Sequence, residues 1–151
     1  MSVSMDASSY VVEVSDVHFS YPGRPILSGL SLKIPRGKVV AILGASGCGK
    51  STLLRLIGGQ IQPEQGDIWV DGNNVPQLGY DALYELRKKM GLMFQAGGLF
   101  SDMSVFDNIA FPLREHTQLP ERIIHELVLM KLNAVGLRGA WKLMQIGRAH
   151  V

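Results

Sequence analysis

The residues with the clearest chemistry are Gly44 to Ser51, GASGCGKS, which fit the phosphate-loop pattern G-x-x-x-x-G-K-[ST]. Gly44, Gly47 and Gly49 let main-chain N–H groups approach phosphate oxygens, where side chains would block the approach or forbid the dihedrals. Ala45, Ser46 and Cys48 occupy the variable positions of the same loop. Lys50 is placed to reach the β- and γ-phosphates of a bound triphosphate, where its ammonium offsets charge. Ser51 offers a hydroxyl to Mg²⁺, and Thr52 is placed to donate to the α-phosphate. The helix that follows adds the positive end of its dipole, so the anion is held at a helix N-terminus. Cys48 reads as a small tolerated residue of the loop rather than a redox sensor.

Such a loop needs a strand before it and a helix after it, and the sequence offers both. Lys38 to Leu43, KVVAIL, is a nearly continuous apolar run that predicts a strand covered on both faces, as in a parallel sheet. Ser51 to Ile57, STLLRLI, predicts a helix stopped by Gly58 and Gly59. Upstream, Tyr10 to Phe19 reads as a half-exposed strand, YPGRP as a turn, and Leu30 to Ile34 as a second short strand. Downstream, Asp67 to Val70 reads as a strand turning at Asp71-Gly72, Tyr80 to Lys89 as a helix, and Gly91 to Phe94 as another buried strand. The alternation predicts an α/β domain. Beyond Gln95 the pattern becomes helical over Val105 to Leu113 and Glu121 to Val135, with Ile123, Leu127, Met130 and Ala134 expected on the buried face.

With 151 residues and a net charge of +2 spread along the chain, one core is expected and nucleic acid is not. The small basic cluster Arg87-Lys88-Lys89 reads as a solvated helix face. A single cysteine cannot form an internal disulfide, and no apolar leader opens the chain, so the expected compartment is the cytoplasm. Apolar runs are far below the ~20 residues of a spanning helix, so any membrane connection is expected through a partner.

A phosphate loop alone leaves kinases, GTPases, helicases and transporters open. FSYPGRPIL, DIWVDG and MGLMFQ, in that order and spacing, resemble the ATP-binding subunits of ABC transporters, from about Val11 to Met144. The resemblance implies a P-loop NTPase (RecA-like) core with an antiparallel β-subdomain and the start of a helical subdomain. It implies ATP and Mg²⁺ as ligands, with Tyr21 stacking on adenine. Gln95 matches the family's glutamine loop, whose side chain contacts Mg²⁺ and the attacking water. Lys50 and Gln95 are thereby the candidate catalytic residues, and Ser51 and Gln95 the metal contacts. FQAGGLFSDMSVFDNI, FPLREHTQL, LLRLIGGQI and KLNAVGLRGA resemble one branch more narrowly, the ATPases of the Mla phospholipid transport system. That branch implies an ABC permease partner at the cytoplasmic face of the inner membrane, a peripheral location there, and a homodimer in the full-length protein. His116 has no plausible metal partners and reads as a surface or subdomain-contact residue.

The resemblance also sets the expected organisation: residues 1–9 a disordered lead-in, 10–95 the N-terminal part of the ATPase core, 96–144 a partial helical subdomain, and 145–151, QIGRAHV, an atypical tail. Family members continue with the Leu-Ser-Gly-Gly signature, a strand ending in Asp-Glu and a switch histidine, none of which occurs here. The expectation is a chain truncated before its signature motif, which binds ATP without efficient hydrolysis and is poorly stable alone. The alternatives are a non-catalytic nucleotide-binding fragment, and the ATPase subunit of another ABC system with a different cargo.

Overall fold

The β-branched run near the N-terminus forms β1 (Tyr10–Tyr21), which turns at Pro22-Gly23 into β2 (Arg24–Pro35). This long hairpin carries Val12, Val14, Val17 and Phe19 into the core. Their numbering changes parity between Val14 and Val17, where the ladder shifts register and Asp16 takes φ 49°. Alternation along a strand has period two, so the extra residue is what returns Val17 and Phe19 to the face of Val12 and Val14. The second strand is longer than expected because Pro25 does not break it. Pro25 stands opposite Ser20 near the start of β2, at the edge of the sheet, where a missing N–H is tolerated.

The computed structural model describes residues 9–94 and 97–144. Gln95, the tail from residue 145 and the lead-in before Ser9 lie outside the described residues. The chain divides into two compact units between Met90 and Gly91. In the first, β3 (Gln65–Val70) and β4 (Asn73–Asn74) complete a four-stranded antiparallel sheet of order β2-β1-β3-β4. Across it lies α1 (Lys50–Ile57), which buries Leu53, Leu56 and Ile57 with Ile68, Val70, Val75 and Leu86. Each such side chain contributes about 1.5–3 kcal/mol when fully removed from water. The helix stops as its two glycines predict: Gly59 N donates to Leu56 O at 3.0 Å and Gln60 N to Arg55 O at 2.9 Å, with Gly59 at φ 65°. Arg87 of α2 (Tyr80–Lys88) adds a 2.9 Å bond to Gly58 O, so this member of the basic cluster binds the end of α1.

Two expected strands are absent. Lys38 to Leu43 forms no strand, and Val39 and Leu43 are 103% and 89% exposed. Gly91 to Phe94 likewise has no regular structure, and Met93 is 88% exposed. A strand needs neighbours for its N–H and C=O groups. The only sheet among the described residues is antiparallel, and it pairs with neither segment.

In the second unit, α3 (Val105–His116) packs on α4 (Glu121–Ala134). Ser104 caps α3, accepting from Asp107 N at 3.0 Å, and Asn108 bonds both the N–H and the C=O of Phe100. The buried face of α4 is Ile124, Val128 and Leu132, against Ala110, Val105, Phe106, Ile109, Leu113 and Trp141. This corrects the expected face: Ile123, Met130 and Ala134 are exposed. His116 is exposed at the end of α3.

Candidate functional site

The loop between residue 43 and α1 is shaped by contacts of its own. Gly49 caps α1 at φ 96°, and a Cβ there would stand 2.8 Å from Ile26 Cγ2 and 3.0 Å from Leu27 Cδ2. Only glycine satisfies both the backbone angle and the close approach to β2. A Cβ at Gly44 would meet Cys48 Sγ at 2.6 Å, which keeps the loop's two ends close. Cys48 N donates to Ala45 O at 3.3 Å, and Leu53 N to Gly49 O at 2.8 Å as α1 begins.

Lys50 reaches back across this turn, and its Nζ donates to Gly44 O and Ala45 O, each at 2.8 Å. An ammonium has three N–H bonds, so two fix its position and one remains. The remaining contact is Cys48 Sγ at 3.6 Å, a weak acceptor that a phosphate oxygen outcompetes. Ser51, in the first turn, is exposed, whereas Thr52 is buried on the side of α1 that faces the core. Beneath the loop, Leu27, Leu30, Leu32, Ile42 and Leu53 line an apolar cavity of about 180 Å³. Cys48, Gly49 and Lys50 of the loop complete its wall.

Tyr21 ends β1, 37% exposed and set edge-on to Phe19 with ring centroids 5.0 Å apart. One ring face is thus free of Phe19 while the ring itself is held. Tyr21 pairs with Arg24 across the hairpin, and Arg24 Nη2 lies 3.5 Å from the position of a Cβ on Gly47. The tyrosine and the loop therefore belong to one unit, with the Arg24 guanidinium lying between the hairpin turn and Gly47. Sequence reasoning passed over Arg24. The two-residue turn Pro22-Gly23 was the available signal, since it places residues 21 and 24 opposite each other.

Among the described residues no group of three or more His, Cys, Asp or Glu is placed to hold a metal ion. A divalent cation here would ride chiefly on phosphate oxygens, as Mg²⁺ commonly does, with the exposed Ser51 hydroxyl as its protein contact.

A glycine-rich turn closed round a lysine at the N-terminus of a helix is the phosphate-loop arrangement of the P-loop NTPase class, here without a strand at residues 38–43. Within that class, the ABC transporter family profile matches residues 27–149, and the chain belongs to that family. It is 58% identical over 134 residues to the intermembrane phospholipid transport system ATP-binding protein MlaF of Escherichia coli K12, covering 89% of this chain and 50% of that protein. It is 55% identical to the MlaF protein of Haemophilus influenzae, covering 89% of this chain and 51% of that one. The probable ribonucleotide transport ATP-binding protein mkl of Mycobacterium tuberculosis is 42% identical, over 85% of this chain and 36% of its own length. Among solved structures, cbiO1 of Clostridium perfringens, part of the ABC transporter complex cbiONQ, superposes with TM-score 0.76 at 30% identity, over 90% of this chain and 54% of its own. The ATP-binding cassette MJ0796, in a dimeric post-hydrolysis state bound to ADP and Pi, gives 0.78 at 25% identity, over 93% and 62%. The chain spans about half the length of the MlaF relatives it matches.

Proposed function

We propose that this chain is the ATP-binding portion of an ABC transporter ATPase subunit that energises phospholipid transport through a membrane permease. The observation that carries the reading is Lys50, whose ammonium is held by the carbonyls of Gly44 and Ala45 at the start of α1 with one N–H left for a phosphate. The 58% identity to a phospholipid transport ATP-binding protein supports the cargo. In this reading Tyr21 stacks on adenine, the loop from Gly44 to Ser51 wraps the phosphates, and Thr52, whose side chain is buried against the core, donates to the α-phosphate through its main-chain N–H. Ser51 and Gln95 contact Mg²⁺, which neutralises phosphate charge when bound. The subunit acts on the cytoplasmic side of the inner membrane, docked on its permease and paired with a second copy in the full-length protein. Among the described residues no helix is long and apolar enough to cross a membrane. The test is equilibrium binding of Mg-ATP to the chain and to Lys50→Ala. Binding that falls at least about tenfold in the variant is expected from loss of a charge-assisted contact. Equal affinity in both proteins refutes the reading.

A further inference from the structure

Among the described residues Arg24 is a cation that no carboxylate pairs with. Glu64, the acid bound to the same hairpin, is committed to Ser20, accepting from its N–H at 3.2 Å and its hydroxyl at 3.3 Å. Arg24 is exposed, and its backbone is fixed as the register partner of Tyr21 at the first position of β2. From there its guanidinium crosses to the phosphate loop, with Nη2 3.5 Å from where Gly47 would carry a Cβ.

We propose that Arg24 is a second cationic contact for the phosphate chain of the nucleotide, placed between the Tyr21 ring and the loop. This deepens the nucleotide-binding reading and rests on it. Lys50 commits two of its N–H bonds to main-chain carbonyls and acts as a point charge. A guanidinium presents a planar fork of donors that matches two phosphate oxygens at once, so Arg24 supplies what Lys50 lacks. A nucleotide stretched from Tyr21 to Lys50 passes the hairpin turn, where Arg24 stands. Its contact is therefore with the phosphates nearer the sugar.

The experiment measures binding of Mg-ATP, Mg-ADP and adenosine by competition against a fluorescent nucleotide, with Arg24→Gln, Arg24→Lys and Lys50→Ala. Arg24→Gln is expected to weaken Mg-ATP and Mg-ADP about tenfold and adenosine less than about twofold, with a shallower salt dependence. Arg24→Lys recovers part of the loss. Unchanged Mg-ATP affinity in Arg24→Gln overturns the proposal. So does a loss for adenosine as large as for Mg-ATP, which makes Arg24 a brace for the loop. If Lys50→Ala abolishes binding while Arg24→Gln does not weaken it, only the role of Arg24 falls. If neither variant changes binding, the nucleotide reading falls with it.

Discussion

Replacing Gly49 by alanine separates two physical demands that meet at one residue. At φ 96° an L-residue is strained, at about 1–2 kcal/mol. The new methyl also lands 2.8 Å from Ile26 Cγ2 and 3.0 Å from Leu27 Cδ2. Neither atom retreats easily: Ile26 Cγ2 branches directly from its Cβ, and Leu27 is buried in the core. Overpacking of that kind costs about 1–3 kcal/mol, for a combined destabilisation of about 2–5 kcal/mol. Gly23→Ala is the matched control. Gly23 sits at φ 73° with nothing within 4 Å of its would-be Cβ, so it carries the backbone cost alone, about 1–2 kcal/mol. Urea unfolding followed through Trp69 fluorescence, in a Trp141→Phe background that leaves one of the chain's two tryptophans, reads the unit containing both glycines. Gly49→Ala should unfold at clearly lower urea than Gly23→Ala. Equal midpoints would show that β2 gives way without cost, and the account of why glycine closes the loop would be wrong.

Alkylating Cys48, an exposed thiol 3.6 Å from the Lys50 ammonium, should abolish Mg-ATP binding by filling the loop, and saturating Mg-ATP should slow the alkylation. Protection without loss of binding in the modified protein would contradict this. Ile124→Ala should destabilise the helical unit by about 2–5 kcal/mol, and Ile123→Ala by less than about 0.5 kcal/mol, read by Trp141 fluorescence in a Trp69→Phe background. Ser104 and then Arg114 hold the Asp107 carboxyl below its ordinary 3.8, and Arg114 does the same for Glu121. Lowered folded values mean the contribution is present above the unfolded pKa and lost as pH falls through the folded one. Helical-unit stability should therefore begin to drop below pH 4.5 through Glu121 and further below 3.8 through Asp107, and Arg114→Gln should flatten that drop in urea titrations taken across acid pH.

The features legible in the sequence are those whose cause lies within a few residues. Gly59 ends α1 because the chain turns left-handed there at φ 65°, just after Gly58, and Gly23 at φ 73° closes the hairpin for the same kind of reason. The bulge at Asp16 was illegible: nothing local marks it, and only the shared burial of Val14 and Val17 reveals that the ladder has slipped. The face of α4 was misassigned because Ile123, Ile124, Leu127, Val128 and Met130 make the helix apolar on most sides, and its neighbour decides which side is covered. The apolar run at 38–43 states a preference for burial, yet a preference does not supply neighbouring strands. The consequence for the site is specific. Its loop keeps its shape although the segment before it joins no sheet, because Lys50 binds the carbonyls of Gly44 and Ala45, Gly49 rests against Ile26 and Leu27, and α1 is anchored through Leu53 and Leu56. The loop is thus held by the β-hairpin and the helix behind it rather than by pairing of residues 38–43, and under the proposed function those contacts set where a nucleotide binds.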